Sequence, residues 1–215
     1  MALISDMPEQ TTQVSTDKIL MQTVGGVTKY VKATNNKLVG FNDFNIIWSP
    51  VNSSGATKPN FSTFRGSLSA AAFAGTGGTV MDLHGCVHIN HEIVFGSAIS
   101  FHVHWSHIIG APTGNVVWQI DYSVAKAFGV QAFPAPTTIT LTQAAGTQYY
   151  HHVIEGSDIV NSDIEPDSII MVRLYRDPGH ASDTFANDAY FVNLDIHVSV
   201  DGMATNEKAR PFTKV

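Results

Sequence analysis

The feature that most constrains this chain is two-residue alternation of apolar and polar side chains, recurring from about Val80 to Val200 with no helical stripe between. In Tyr190–Val200, the residues Tyr190, Val192, Leu194, Ile196, Val198 and Val200 fall on one side, and Asn193, Asp195, His197 and Ser199 on the other. In Val116–Val124, Val116, Trp118, Ile120 and Tyr122 oppose Val117, Gln119, Asp121 and Ser123. Successive side chains of a strand point to opposite faces, so each run describes a half-buried strand. Val80–Asn90, Ala98–Ile108, Thr137–Gln143, Tyr149–Glu155 and Ile169–Tyr175 also read as strands. Turn signals such as Phe95-Gly96-Ser97, Pro112-Thr113-Gly114 and Glu165-Pro166-Asp167 separate them. Leu68–Phe73 (LSAAAF) reads as one short helix. Seven or eight strands without crossover helices predict an all-β fold, an antiparallel β-sandwich of jelly-roll type.

The first 60 residues differ. Thr, Asn, Gly, Ser and Lys dominate, and the alternation is broken at Gly25-Gly26, Gly40 and Pro50. This predicts an extended anchoring arm over 1–60, a sandwich over 61–202 and a polar tail over 203–215. The arm's apolar residues Phe41, Phe44, Ile46 and Trp48 need a surface, either the following domain or a neighbouring subunit.

Only 14% of residues are charged, against about 25% in ordinary soluble domains. Such a surface suits a chain that covers itself with copies or partners. The net charge is −6 and no Lys/Arg cluster interrupts it, so a nucleic-acid partner is not expected. No apolar run approaches the roughly 18 residues of a membrane-spanning helix. The opening MALISDMPEQ lacks a basic stretch followed by an apolar run, so no secretion signal is expected. Cys86 is the single cysteine, which excludes an intrachain disulfide and fits folding in a reducing cytoplasm.

Ten histidines are the unusual count. The sharpest local pattern is Phe101-His102-Val103-His104-Trp105, which places His102 and His104 on one face of a strand and Phe101, Val103 and Trp105 on the other. Three readings are open. The first is a cupin-like metalloenzyme: Gly96 and His102-Val103-His104 match the opening spacing, but Ile108 and Ile109 stand where a glutamate is needed. Asp121 or Asp195, from another strand, would have to complete a two-histidine, one-carboxylate set. The second is a structural metal on a trimer axis, held by His102 and His104. The third is a polar layer in which His102, His104, Gln119, Asp121, Arg173, Asp195 and His197 hydrogen-bond to one another. No cofactor is expected beyond such a structural ion.

Other chemical signals are weaker. No G-x-S-x-G, P-loop or HExxH pattern is present. Glu155 and Asp121 would form a sugar-cleaving carboxylate pair only at a suitable separation. Asp158, Asp163, Glu165 and Asp167 read as a solvated loop. Trp48, Tyr149 and Tyr150 are candidates for stacking on a host-surface glycan, whereas Trp105 and Trp118 read as core.

Several segments in order resemble structural proteins of tailed bacteriophages. They are Phe101-His102-Val103-His104-Trp105, Gly114–Lys126 (GNVVWQIDYSVAK), Glu165–Asp177 (EPDSIIMVRLYRD), Asp183-Thr184, Asp195-Ile196-His197, and the closing Ala204–Ala209 with Pro211-Phe212. The resemblance spans roughly residues 60–212. It implies a virion component made in the host cytoplasm, without catalysis. The implied roles are capsid decoration or cement, or a head or tail fibre. The implied partners are copies of itself in a homotrimer and virion proteins such as the major capsid or tail proteins, with a host-surface glycan as the alternative.

Overall fold

The computed structural model describes residues 18–22, 28–32, 39–49, 57–159 and 164–213. Most of the expected arm, together with Asp163, lies outside them. The chain divides into two units, at Val39 and Gly40. In the first, β1 (Lys18–Gln22) and β2 (Thr28–Lys32) pair antiparallel, with Lys18 opposite Lys32.

The second unit is a sandwich of two antiparallel sheets, and no helix occurs among the described residues. Its strands are β3 (Gly40–Asn45), β4 (Ile47–Trp48), β5 (Asn60–Arg65), β6 (Leu68–Phe73), β7 (Met81–His88), β8 (Ile99–Ser106), β9 (Asn115–Ala125), β10 (Thr137–Ala144), β11 (His152–Glu155), β12 (Ile169–Arg176) and β13 (Ala189–Val200). One sheet runs β10-β9-β12-β7-β4 and the other β11-β8-β13-β6-β5, with β3 also paired to β13. From β6 onward the chain alternates between sheets except at the β9–β10 hairpin. That is the double Greek key of a jelly roll.

The alternation seen in the sequence explains the core. Phe101, Val103 and Trp105 of β8, Trp118 and Ile120 of β9, and Leu194, Ile196 and Val198 of β13 are fully buried between the sheets. Trp118 packs edge-on against Phe73, with centroids 5.0 Å apart. Trp105 donates from Nε1 to Gln143 Oε1 at 2.7 Å, which satisfies its polar end inside the sandwich.

Two elements depart from expectation. Leu68–Phe73 is strand β6, not a helix. Six residues are too few to nucleate a stable helix, and pairing with β5 and β13 decides the conformation. Val192, expected inward, is 55% exposed. A bulge between Phe191 and Asn193 shifts the register against β8 and reverses the phase there.

Residues 40–48, read from sequence as arm, enter the sandwich itself. β3 pairs with the C-terminal half of β13, the chain turns through buried Ile46, and β4 pairs with β7 in the opposite sheet. Gly85 permits this close approach. A Cβ there would lie 2.6 Å from Ile46 Cγ2 and 2.7 Å from the Ile47 carbonyl oxygen.

The loop after β12 is clasped by a buried ion pair. The guanidinium of Arg176 donates to both Asp183 oxygens at 2.8 Å, and to the carbonyls of Phe73, Phe185 and Asn187 at 3.1, 2.6 and 2.8 Å. The tail lies against loops at one end. Thr205 bonds to His91, Arg210 pairs with Glu165 at 3.1 Å, and Phe212 packs on His91 and Phe128.

Candidate functional site

The outer face of β8 and β13 gathers most of the predicted residues. Cross-strand pairing sets His102 opposite both Asp195 of β13 and Glu155 of β11, and sets His197 opposite Asp43 of β3. Directly opposed side chains on one face lie close enough to interact. His104 Nε2 is 2.9 Å from Asp195 Oδ2, and His102 Nδ1 is 3.5 Å from Asp195 Oδ1. On their far sides, His102 Nε2 lies 3.4 Å from Glu155 Oε1 and 3.3 Å from His197 Nδ1, and His104 Nδ1 lies 2.8 Å from His151 Nε2. Asn193 donates from Nδ2 to Asp195 Oδ2 at 3.1 Å and to Asn45 Oδ1 at 2.7 Å.

Asp195 is 4% exposed. Burial raises its carboxyl above the usual carboxylate range. His104 opposes that shift, Asp43 adds to it, and His102 opposes it. Glu155, on the solvent side, is lowered chiefly by the Ser100 hydroxyl and then by His102. Two triads have ligand atoms close enough to share an ion: His102, His104 and Asp195, and Asp43, His102 and His197.

The single polar layer read from the sequence is in fact two. Asp121 of β9 and Arg173 of β12 lie on the outer face of the other sheet. There Arg173 donates to Asp82 at 2.8 Å and to Asp121 at 3.2 Å, and stacks over Tyr175 at 4.2 Å. Thr138 completes that network by donating to Asp121 at 2.6 Å. So Asp195, not Asp121, joins the histidine pair. Asp121 and Glu155 sit on opposite outer faces, which removes the sugar-cleaving pair. The histidine pair points away from the interior, and Phe101, Val103 and Trp105 fill the space on the inward side of β8. The cupin-like arrangement, with a pocket inside the sandwich, is therefore not formed by this strand.

Four further histidines form two groups. His88 and His91 both face Asp167 Oδ1, at 3.0 and 3.3 Å. His107 is buried and stacks on His152, with centroids 5.6 Å apart. Burial, against the pull of the Ala145 and Gly146 carbonyls, holds His107 below the ordinary imidazole value. His152 is also lowered by burial first, opposed by the Thr147 carbonyl, then by His107 and His151.

Of the expected anchors, Ile46 is buried, and Phe44 and Trp48 pack on the core. Phe41 is exposed and rests only its edge on His197, 4.5 Å away. Among the glycan candidates, Tyr149 is engaged by Phe64 and Arg65, and Tyr150 is exposed.

Sequence reasoning missed an apolar groove of about 670 Å³. It opens where β13 exchanges one edge partner, β6, for the other, β3. Ile46, Trp48, Phe61, Phe64, Leu68 and Val192 line it. Phe61 and Leu68 are 77% and 67% exposed. Treating Leu68–Phe73 as helix hid this lining. His151 was missed too, and its signal was only its place beside His152. No protein family, curated protein or solved structure matches the chain.

Proposed function

We propose that this chain is a structural subunit of a tailed-bacteriophage particle, a capsid-decoration or head or tail fibre protein that works by assembly and not by turnover. The observation that carries the proposal is the apolar groove, open among the described residues, and its rim. Apolar surface of this kind, contiguous and rimmed by polar groups, marks protein–protein contact. The occupant is a second copy of the chain, within a homotrimer. The groove adjoins β5, the outermost strand of its sheet, whose exposed Phe61 offers both an apolar anchor and a strand edge. The ordered series of phage-like motifs supports the particle assignment, and the jelly-roll topology suits it, since capsid domains use that fold.

Light scattering on the purified protein, combined with the double variant Phe61→Glu/Leu68→Glu, tests this reading. Both positions are solvent-facing, so the fold is expected to survive. The intact protein should be trimeric, the variant monomeric, and the variant absent from particles probed by immunogold labelling. A monomeric wild type, or a variant incorporated as well as wild type, would overturn the reading. Removing residues 1–39 should likewise abolish incorporation if the N-terminal segment anchors the subunit.

A further inference from the structure

The polar groups around Asp195 are arranged as a coordination sphere more than as a hydrogen-bond network. His104 Nε2 and Asp195 Oδ1 are both shut off from solvent, and neither makes a hydrogen bond. His104 Nε2 approaches the other oxygen, Asp195 Oδ2, to 2.9 Å, an ion-pair distance. Leaving such atoms unsatisfied forfeits their hydration with no bond in return, so a pair of them at one spot needs a reason. The outward-facing atoms of the same side chains are occupied, by contrast. His102 Nε2 meets Glu155, which Ser100 fixes from Oγ at 2.9 Å. His104 Nδ1 meets His151, and Asp195 Oδ2 accepts from Asn193. Ligating histidines and carboxylates are oriented by outer partners in this way, with the inner atoms left for the ion.

The spacings agree. With metal–nitrogen and metal–oxygen bonds of about 2.0–2.2 Å, ligand atoms at right-angled to tetrahedral positions stand roughly 2.9–3.5 Å apart. His102 Nδ1 and Asp195 Oδ1 stand 3.5 Å apart, and one ligand atom from each of the three side chains lies within 4.8 Å of the others. The overlapping triad of Asp43, His102 and His197 fits less well. Asp43 is exposed, and His197 meets the nitrogen of His102 that Glu155 already engages.

We propose that His102 Nδ1, His104 Nε2 and the Asp195 carboxylate bind one divalent first-row transition ion, of the zinc type, inside a single chain. Two histidines and one carboxylate leave a further coordination position open. The site needs no symmetry axis and stands independently of the assembly reading.

The test uses the full chain, stripped with chelator and titrated with Zn²⁺ by calorimetry and with Co²⁺ by visible absorption. One ion should bind per chain, with a cobalt spectrum of low coordination number and nitrogen and oxygen ligands. His104→Ala and Asp195→Asn should each weaken binding more than about 100-fold, and His151→Ala by about tenfold, as an outer partner does. His88→Ala and His91→Ala, in the other histidine cluster, should leave it unchanged. Near-UV circular dichroism confirms that each variant is folded. If a variant does not fold, the stoichiometry and cobalt spectrum of the wild type still decide the matter. No binding to folded wild type, one ion per three chains, or undiminished affinity in the folded ligand variants would overturn the proposal.

Discussion

Asp183→Ala should unfold the sandwich more easily than any surface change, because it strands a guanidinium where water cannot reach. Arg176 and Asp183 both have fully buried side chains, 2.8 Å apart. Removing one partner of such a pair costs about 3–5 kcal/mol, since the remaining charge is left uncompensated. The Val117 amide also loses its acceptor, Asp183 Oδ2, at 3.0 Å. Taking a urea dependence of about 2 kcal/mol per molar, the unfolding midpoint should fall by about 1.5–2.5 M. Trp105 and Trp118 are fully buried, so tryptophan fluorescence reports the transition, and far-UV circular dichroism should coincide with it if unfolding is two-state. Protein concentration is held fixed, because association would shift the midpoint. The double variant Arg176→Met/Asp183→Leu removes both charges and sharpens the test. For a simple ion pair this exchange is often neutral. Here three carbonyls, those of Phe73, Phe185 and Asn187, lose their donor, at about 1–3 kcal/mol for each one left unpaired. Recovery should therefore be partial. A loss below about 1 kcal/mol in Asp183→Ala, or a double variant as stable as wild type, would refute the argument that this clasp holds the loop by satisfying backbone groups as well as charge.

Gly114→Ala should destabilise the sandwich by about 1–3 kcal/mol in thermal melts. Gly114 adopts φ +93°, and its Cβ would lie 2.4 Å from the Thr184 carbonyl oxygen. Gly85→Ala should push β4 off its sheet, seen as faster hydrogen exchange at the Ser49 amide, which donates to the His84 carbonyl at 2.7 Å. His107 and His152 are depressed in the folded chain relative to 6.5, so the unfolded chain takes up their protons first. Their contribution is full above about pH 6.5 and is lost as pH falls toward the folded values; the stability slope in that window should flatten in His107→Gln. In chelator-treated protein, Asp195→Asn should raise the midpoint at neutral pH. A carboxyl raised by burial costs stability as pH rises past the ordinary carboxylate value, and the cost is complete above its folded pKa.

The layered scaffold was legible because alternation reports which side chains of a strand share a face. His102 with His104, and Asp195 with His197, could be grouped in this way within their strands. Alternation does not report which sheet a strand joins. That is why Asp121 and Arg173, with the same polar phase, were grouped with residues of the opposite face. It also fails at irregularities. The bulge at Phe191–Asn193 turns Val192 outward, and nothing in the local sequence marks it. Leu68–Phe73 shows the converse limit, since an Ala-rich run carries helix propensity that strand pairing overrides. Finally, Glu155 and His151 reach the histidine pair through pairing of β11 with β8, a contact set by topology and silent in the chain order.

Asn193 shows why the irregularity matters. The bulge turns Val192 into the groove, beside Asn193, which alternation places on the histidine face. It lines the groove and spends its Nδ2 group on Asp195 Oδ2 and Asn45 Oδ1. One side chain thus ties the apolar groove to the buried carboxylate and to the end of β3. Asn193→Leu keeps the volume and removes both donations. The bond to Asn45 contributes about 1 kcal/mol and the one to the carboxylate about 1.5–3 kcal/mol, less than the stability of an ordinary domain, so the fold should hold, while ion affinity should fall about tenfold because Asp195 loses its orienting partner. An unchanged Zn²⁺ titration in this folded variant would mean that the Asp195 carboxylate is oriented by the histidines alone, and that the bulge serves the groove and not the ion.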